Sequence, residues 1–186
     1  MAEASSLVRL QAEYDVSLDW RGFELHPDTP RGGRLLAEKF GAQRYAAMKE
    51  HLRRFAEGFG IAGMRIPERS PSTRAALALA EHARDRGRLH EARHALMDAF
   101  WRRGEDLEDP AVLSRCAAEA GLDAAAAMAA LSDPGLVARV DAMGREAARA
   151  GVTGIPTFFL GRRRVVGCQP YEAIAAEAEA AGAKRR

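Results

Sequence analysis

A long helical block lies between two short strand-like regions, and this order constrains the fold more than any other feature of the chain. From residue 34 to about residue 150 the pattern is almost entirely helical. Before the block, residues 16–20 alternate apolar and polar side chains, as in a half-buried strand. After it, Thr157–Leu160 and Arg163–Val166 form two predicted strands joined by a two-residue turn that begins with glycine. Strands separated by a long helical stretch predict a layered α/β fold.

Helix boundaries are marked by capping residues, prolines and glycines. Residues 2–14 and the segment after Pro170 predict a first and a last helix. Within the block, a capping Ser or Asp stands directly before a proline at three predicted helix starts: Pro71, Pro110 and Pro134. Predicted helix ends are marked by glycines, which adopt the left-handed conformation readily: Gly58, Gly87, Gly104, Gly121 and Gly151.

Composition excludes several classes of protein. The chain has 186 residues, 47% of them hydrophobic, so it can bury a core without a metal or a disulfide. No stretch approaches 18 uncharged apolar residues, which argues against a transmembrane helix. The net charge of +2, from 28 basic and 26 acidic residues, argues against a nucleic-acid-binding protein. With two cysteines and no signal-peptide pattern, we expect a reduced cytoplasmic protein without membrane association.

Residues 90–94 match the zinc-peptidase pattern H-E-x-x-H. In that pattern two histidines on one helix face bind zinc, and the glutamate between them acts as a base. Here His90 and His94 lie on the flank of the apolar stripe, and Glu119 is a third ligand by spacing alone. We therefore interpret the match as a chance arrangement on an exposed flank and expect no metal, with a zinc peptidase using Glu91 kept as an alternative.

The two cysteines stand in different surroundings. Cys116 shares a helix face with small apolar residues, which predicts a core position. Cys168 lies between a predicted strand and a helix start, a place where a helix N-terminus can lower a thiol pKa. A buried structural cysteine is the favoured interpretation, and a reactive thiol at Cys168 is kept as the alternative. Because the two residues belong to different parts of the predicted architecture, we expect no disulfide between them.

The segment 151–159 is the most informative. Pro156 stands directly before a buried strand, although proline removes a ladder donor there. Gly151 and Gly154 allow unusual backbone angles or a close backbone approach. Local chemistry leaves two interpretations open, a specialised turn with a cis proline or an ordinary connection with a trans proline.

Residues 151–158, followed by a hairpin and by residues 167–171, resemble the C-terminal half of DsbA-family thioredoxin-like proteins. The most similar branch is the FrnE-like group, which includes relatives of 2-hydroxychromene-2-carboxylate isomerase. Other segments resemble the family's second strand, its following loop and its helical insertion: 14–16, 20–28, 72–75 and 120–123.

The resemblance covers nearly the whole chain and implies a thioredoxin-like fold with a large inserted helical domain. It places residues 1–32 and 146–186 in the thioredoxin-like domain, and residues 33–145 in the insertion. The implied activity is thiol–disulfide exchange without a cofactor. The implied partner is a thiol or disulfide, either a protein or a small molecule such as glutathione, and a homodimer is left open.

The resemblance also assigns a substrate-binding segment. Pro156 matches the family's cis proline, and Ile155 matches the preceding residue, whose backbone N–H and C=O pair with an extended substrate. Thr153 and Gly154 complete this segment. We therefore predict a cis bond between Ile155 and Pro156, although only about 5–6% of X-Pro bonds in folded proteins are cis.

The chain departs from the family pattern at its beginning. The first strand and the C-x-x-C at the start of the first helix are not in this sequence, so it contains none of the family's catalytic residues. Because that strand is central in the family fold, its loss would leave buried backbone groups unpaired, at about 1–3 kcal/mol each. We therefore expect translation to start upstream of Met1, and no dithiol oxidoreductase activity from the sequence as written.

Two alternatives within the superfamily remain. One is a binding module that keeps the substrate groove without redox chemistry. The other is a glutathione-dependent isomerase, because that branch usually carries a single Ser or Cys at the missing position.

Overall fold

The computed structural model describes residues 2–186, with side chains from Ser6 onward, and divides the chain into two compact units. The first unit combines the residues up to Arg21 with Ala147–Arg186, and the second is the continuous segment Gly22–Glu146. None of the described helices is both long and apolar enough to cross a membrane.

The elements are numbered in chain order over the described residues. The helices are α1 (Ala2–Glu13), α2 (Leu36–Phe40), α3 (Ala42–Gly58), α4 (Arg74–Arg84), α5 (Leu89–Asp98), α6 (Pro110–Glu119), α7 (Ala124–Ala130), α8 (Pro134–Arg149) and α9 (Tyr171–Ala180), with a π-helical turn at Ala99–Arg103. The strands are β1 (Arg34–Leu35), β2 (Arg69–Ser70), β3 (Thr157–Leu160) and β4 (Arg163–Val166).

The first boundary between the units falls after Arg21, whereas the sequence places it after residue 32. The residues that follow Arg21 pack on helices of the second unit. A Cβ atom on Gly22 would lie 2.6 Å from the Leu77 side chain of α4. The Glu24 carboxylate faces the Arg74 guanidinium, also on α4, at 3.9 Å. These contacts attach the segment to the helical unit.

The first unit is a helix pair with a β-hairpin. β3 and β4 pair antiparallel, with Leu160 opposite Arg163, and Gly161 in the turn has a φ of 59°. The hairpin predicted from the sequence is therefore confirmed. Its inner side chains, Phe158 and Leu160, pack against a cluster that α1 and α9 form with these buried residues: Leu7, Leu10, Tyr14, Ile174, Ala175 and Ala178.

The strand predicted over residues 16–20 is wrong. Val16, Leu18 and Trp20 do pack against the α1–α9 cluster, which accounts for the alternating pattern in the sequence. However, no described strand pairs with this segment, and the nearest backbone pairing is an isolated bridge between Tyr14 and Arg185. The segment buries alternate side chains without forming a ladder.

The second unit has a core of small side chains. Its largest buried cluster joins α4, α5, α6 and α7 and is dominated by alanines: Ala76, Ala83, Ala92, Ala95, Ala99, Ala117, Ala120 and Ala127, together with Leu79, Leu96, Leu107, Val112, Leu113, Cys116 and Leu122. Small residues let helix backbones approach closely, so the unit packs through close helix contacts.

Two of the three predicted proline-marked helix starts are confirmed. The Asp109 carboxylate accepts a hydrogen bond from the Ala111 N–H at 2.8 Å, and α6 begins at the proline between them. Asp133 caps α8 in the same way. The third start is wrong, because Ser70 pairs with Arg34 in the β1–β2 ladder and the helix begins only at Arg74.

Residues 34–70, here called the arm, are the part of the second unit whose two ends pair with each other as β1 and β2. A carboxylate closes the base of the arm. Glu108 accepts a hydrogen bond from the Gly32 N–H at 2.8 Å with one oxygen, and from the Ser72 N–H at 2.7 Å with the other. Both chain ends of the arm are thereby tied to one side chain.

Replacing Glu108 with Ala removes the acceptor of both N–H groups. We expect a loss of about 1–3 kcal/mol in the free energy of unfolding of the second unit, because each group loses a bond to a charged acceptor. Urea titration followed by circular dichroism measures it. The control is Glu57→Ala, at an exposed position on α3. Equal stability of the two variants would contradict the role of Glu108.

Candidate substrate-binding site

The candidate site begins where α8 ends. The N–H groups of Gly151 and Val152 donate to the carbonyls of Ala148 and Ala147, at 3.0 and 2.9 Å. This pattern terminates the helix with a left-handed residue, and Gly151 has a φ of 71°. The chain leaves the helix here and runs through residues 153–156 into β3.

The hairpin holds the helix end in place. The Arg164 guanidinium donates to the Gly151 carbonyl at 2.9 Å, and a Cβ atom on Gly151 would lie only 2.8 Å from the same nitrogen. Gly154 differs, because its φ is not left-handed and open space surrounds the position of a Cβ atom. The structure therefore requires glycine at residue 151 but not at residue 154.

The Ile155–Pro156 peptide bond is cis, the isomer that the sequence predicts. Hydrogen bonds anchor the chain on both sides of it. The Thr157 hydroxyl donates to the Gly154 carbonyl at 2.7 Å, and the Gly167 N–H donates to the Pro156 carbonyl at 2.8 Å. The segment is thus tied to the start of β3 and to the end of β4.

Ile155 has an exposed side chain and unpaired backbone groups. Its side chain is 56% exposed, and neither its backbone N–H nor its C=O forms a hydrogen bond with any described residue. β3, which follows, pairs only with β4 among the described strands. Unpaired backbone groups next to a strand edge suit the addition of an extended peptide.

An exposed apolar surface accompanies these backbone groups. Phe159 and Val166 lie on the face of the hairpin opposite to Phe158 and Leu160, because side chains alternate along each strand. Phe159 is 53% exposed and Val166 is 49% exposed. The hairpin therefore offers apolar side chains as well as free backbone hydrogen-bonding groups.

The cysteines occupy different units and do not form a disulfide, as predicted. Cys168 is half-buried and follows Gly167, the residue bonded to the Pro156 carbonyl, so it lies in the chain segment that borders the candidate site. Cys116 is fully buried, with its Sγ 3.7 Å from the Ala95 carbonyl oxygen, and burial raises the pKa of its thiol.

The H-E-x-x-H motif lies on α5 in the second unit. His90, His94 and Glu119 border a shallow hollow of about 240 Å³. Glu119 accepts a hydrogen bond from the Arg103 guanidinium at 3.2 Å, and Glu91 is bonded to Arg88 at 3.0 Å. Among the side chains that the structure describes, from Ser6 onward, no three His, Cys, Asp or Glu residues are arranged to hold a metal ion. The motif therefore lacks the ligand set that a zinc peptidase needs.

Sequence reasoning gave neither Arg164 nor Gly167 a role in the site, although both anchor it. Their partners lie 13 and 11 positions away along the chain, so no local motif contains both members of either pair. The hairpin pattern offers only an indirect signal. It places the end of β4 opposite Thr157, at the beginning of β3.

Comparisons with known proteins agree on one family. The family model of the DSBA-like thioredoxin domain matches residues 2–179. Among solved structures, a probable DsbA oxidoreductase from Streptomyces coelicolor is similar, with a TM-score of 0.83 and 30% sequence identity. The match covers 97% of this chain and 82% of that one. No curated protein matches the chain.

The two glycines of the site give a matched pair of variants. We expect Gly151→Ala to lower the free energy of unfolding by about 1–2 kcal/mol, because an L-residue is disfavoured in the left-handed conformation. Gly154→Ala should stay within about 0.5 kcal/mol of the parent protein, since its Cβ atom enters open space. Urea titration measures both. If Gly154→Ala lowered the free energy of unfolding more than Gly151→Ala does, the backbone geometry described for these two residues would be wrong.

The two thiols should differ in reactivity. In the folded protein we expect Cys168 to react with Ellman's reagent, because it is half-buried, whereas the buried Cys116 reacts only after unfolding. One equivalent of thiol should therefore react before urea is added and a second afterwards. Cys168→Ser should abolish the first reaction. Rapid labelling of both thiols in the native state would contradict the burial of Cys116.

Proposed function

Because the chain belongs to the DSBA-like thioredoxin domain family, we propose that it binds a thiol or disulfide substrate at residues 153–156. Its fold is the thioredoxin-like fold with a helical insertion. We further propose that the first unit is the thioredoxin-like domain and that the second unit is the inserted helical domain.

The observation that carries this proposal is the open peptide backbone at Ile155. Its N–H and C=O have no partner among the described residues, whereas the flanking carbonyl groups of Gly154 and Pro156 accept hydrogen bonds. An extended peptide that lies along this segment satisfies both groups at once. Affinity then comes from main-chain hydrogen bonds, and the neighbouring apolar side chains supply selectivity.

The sequence contains the proposed binding segment but not the pair of cysteines that dithiol catalysis requires. Thiol–disulfide exchange by a dithiol enzyme needs one thiolate to attack and a second thiol to resolve the mixed disulfide. The chain has two cysteines, at positions 116 and 168, and no C-x-x-C. We therefore propose that the 186 residues bind the substrate without catalysing dithiol exchange.

Four finer assignments stay predictions. They are membership of the FrnE-like branch, location in the cytoplasm, a reactive role for Cys168, and the choice between a protein substrate and glutathione. A peptide and glutathione are both extended chains that carry a thiol. A competition experiment, which compares the affinities of the two ligands for the same site, therefore distinguishes a protein substrate from glutathione.

Binding is tested by NMR titration of the labelled protein with a short peptide whose cysteine is blocked as a methyl disulfide. Ile155→Ala keeps both backbone groups, whereas Ile155→Pro removes the N–H. We expect Ile155→Pro to weaken binding about tenfold, the effect of losing roughly 1.4 kcal/mol, while Ile155→Ala binds nearly as well as the parent protein.

Two results would contradict the proposal. One is equal weakening by both Ile155 variants, since recognition would then depend on the side chain. The other is insulin reduction above the dithiothreitol background by the 186-residue protein, with Cys168→Ser as the control that identifies any thiol responsible. A native spectrum of each variant confirms that it is folded.

A further inference from the structure

His82 is a buried titratable group that the candidate site does not use. It lies on α4 in the second unit, is only 5% exposed and borders a cavity of about 460 Å³. One turn earlier on the same helix, Ala78 packs against Leu136 and Val140 of α8. His82 therefore stands at the end of the apolar contact that holds α4 against α8.

The hydrogen bonds of His82 define its tautomer. The Arg86 guanidinium lies 3.2 Å from Nδ1 of His82 and also donates to the His82 carbonyl at 3.1 Å. A guanidinium can only donate hydrogen bonds, so Nδ1 must accept and the ring proton must reside on Nε2. That Nε2 is buried and forms no hydrogen bond with any described residue.

The charged groups around the ring are already paired with one another. From α8, Arg139 donates two hydrogen bonds to Asp85, at 2.8 and 2.7 Å. Its Nε lies 3.6 Å from the buried Glu81 carboxylate. Just beyond the end of α4, the Arg86 guanidinium contacts both the His82 ring and the His82 carbonyl, and Asp85 precedes Arg86 in the chain. No carboxylate among these described groups accepts a hydrogen bond from the His82 ring.

The other residues that line the cavity do not provide an acceptor for the His82 ring either. α7 contributes the uncharged Ala126 and Ala130. Asp133, which precedes α8, also borders the cavity, but its carboxylate caps the helix by accepting from the Leu136 N–H at 2.9 Å. The groups that face His82 from α4, α7 and α8 are therefore arranged for a neutral ring.

We propose that His82 is an acid-sensitive latch of the second unit: a proton taken up from solvent at Nδ1 displaces the Arg86 guanidinium and opens the contact between α4 and α8. The added proton makes Nδ1 a donor that faces another donor, and brings a positive ring next to Arg86 and Arg139. Nε2 remains a buried donor without an acceptor. Opening the contact lets water solvate the charged ring.

The direction of the pH dependence follows from the burial of the ring. Burial lowers the pKa of His82 from its ordinary value of 6.5, and the charges of Arg86 and Arg139 lower it further, against a smaller opposing effect of Asp85. The opened state, with the ordinary pKa, binds the proton more tightly than the closed state. The contribution of the neutral His82 ring to the stability of the closed contact is therefore complete above pH 6.5. It is lost as the pH falls from 6.5 through the lowered pKa of His82.

Hydrogen exchange of the full chain tests the latch. Protection factors, corrected for intrinsic exchange, are measured for amides of α4 and α8 between pH 7.5 and 5. The parent protein should lose protection there by up to about tenfold per pH unit, the limit for one linked proton. His82→Gln, whose amide does not titrate in this range, should remove this loss. His94→Gln is the matched control, because His94 is 72% exposed on α5 and should leave the loss unchanged.

Two outcomes would overturn the proposal: the same loss of protection in His82→Gln as in the parent, or no loss in the parent. NMR titration of the histidine rings in the parent protein gives an independent test if His82→Gln does not fold. A His82 ring that titrates at or above the ordinary value would overturn the latch. A ring that titrates below it, together with loss of α4 and α8 protection, supports the latch.

Discussion

Packing of α1 against α9 around Tyr14 is the contact on which the first unit depends. The Tyr14 ring is fully buried, and its hydroxyl is hydrogen-bonded to the Glu179 carboxylate at 2.5 Å and to the Arg185 guanidinium at 3.0 Å. The inner face of the β-hairpin packs on the same cluster. Since the hairpin also anchors residues 153–156 through Thr157 and Gly167, the geometry of the candidate site rests on this helix pair.

Under the proposed function, the candidate site would recognise its ligand through the backbone more than through side chains. No charged side chain lies within residues 153–156, and the backbone N–H and C=O of Ile155 form no hydrogen bond with any described residue. Selectivity falls to exposed apolar residues, Ile155, Phe159 and Val166. Such a surface would suit many extended chains, so the thiol chemistry of the substrate, more than its sequence, would decide which ligands bind.

Features encoded by neighbouring residues could be predicted from the sequence, and features created by distant contacts could not. The hairpin and the caps at Asp109 and Asp133 depend on a few adjacent residues, and the structure contains them. The strand at residues 16–20 failed because a strand needs a pairing partner, which periodicity does not report. Similarly, the burial of His82 arises only when α4, α7 and α8 come together.

The two units differ in how the chain builds them. The second is one continuous segment, whereas the first needs residues before Gly22 and after Glu146, and Tyr14 meets Glu179 across 165 positions. On a ribosome, the helical unit can therefore close while the rest is still being made, whereas α1 must wait for the last residues to emerge. During synthesis the apolar face of α1 has no α9 to cover it, which makes it a ready site for a chaperone on the nascent chain.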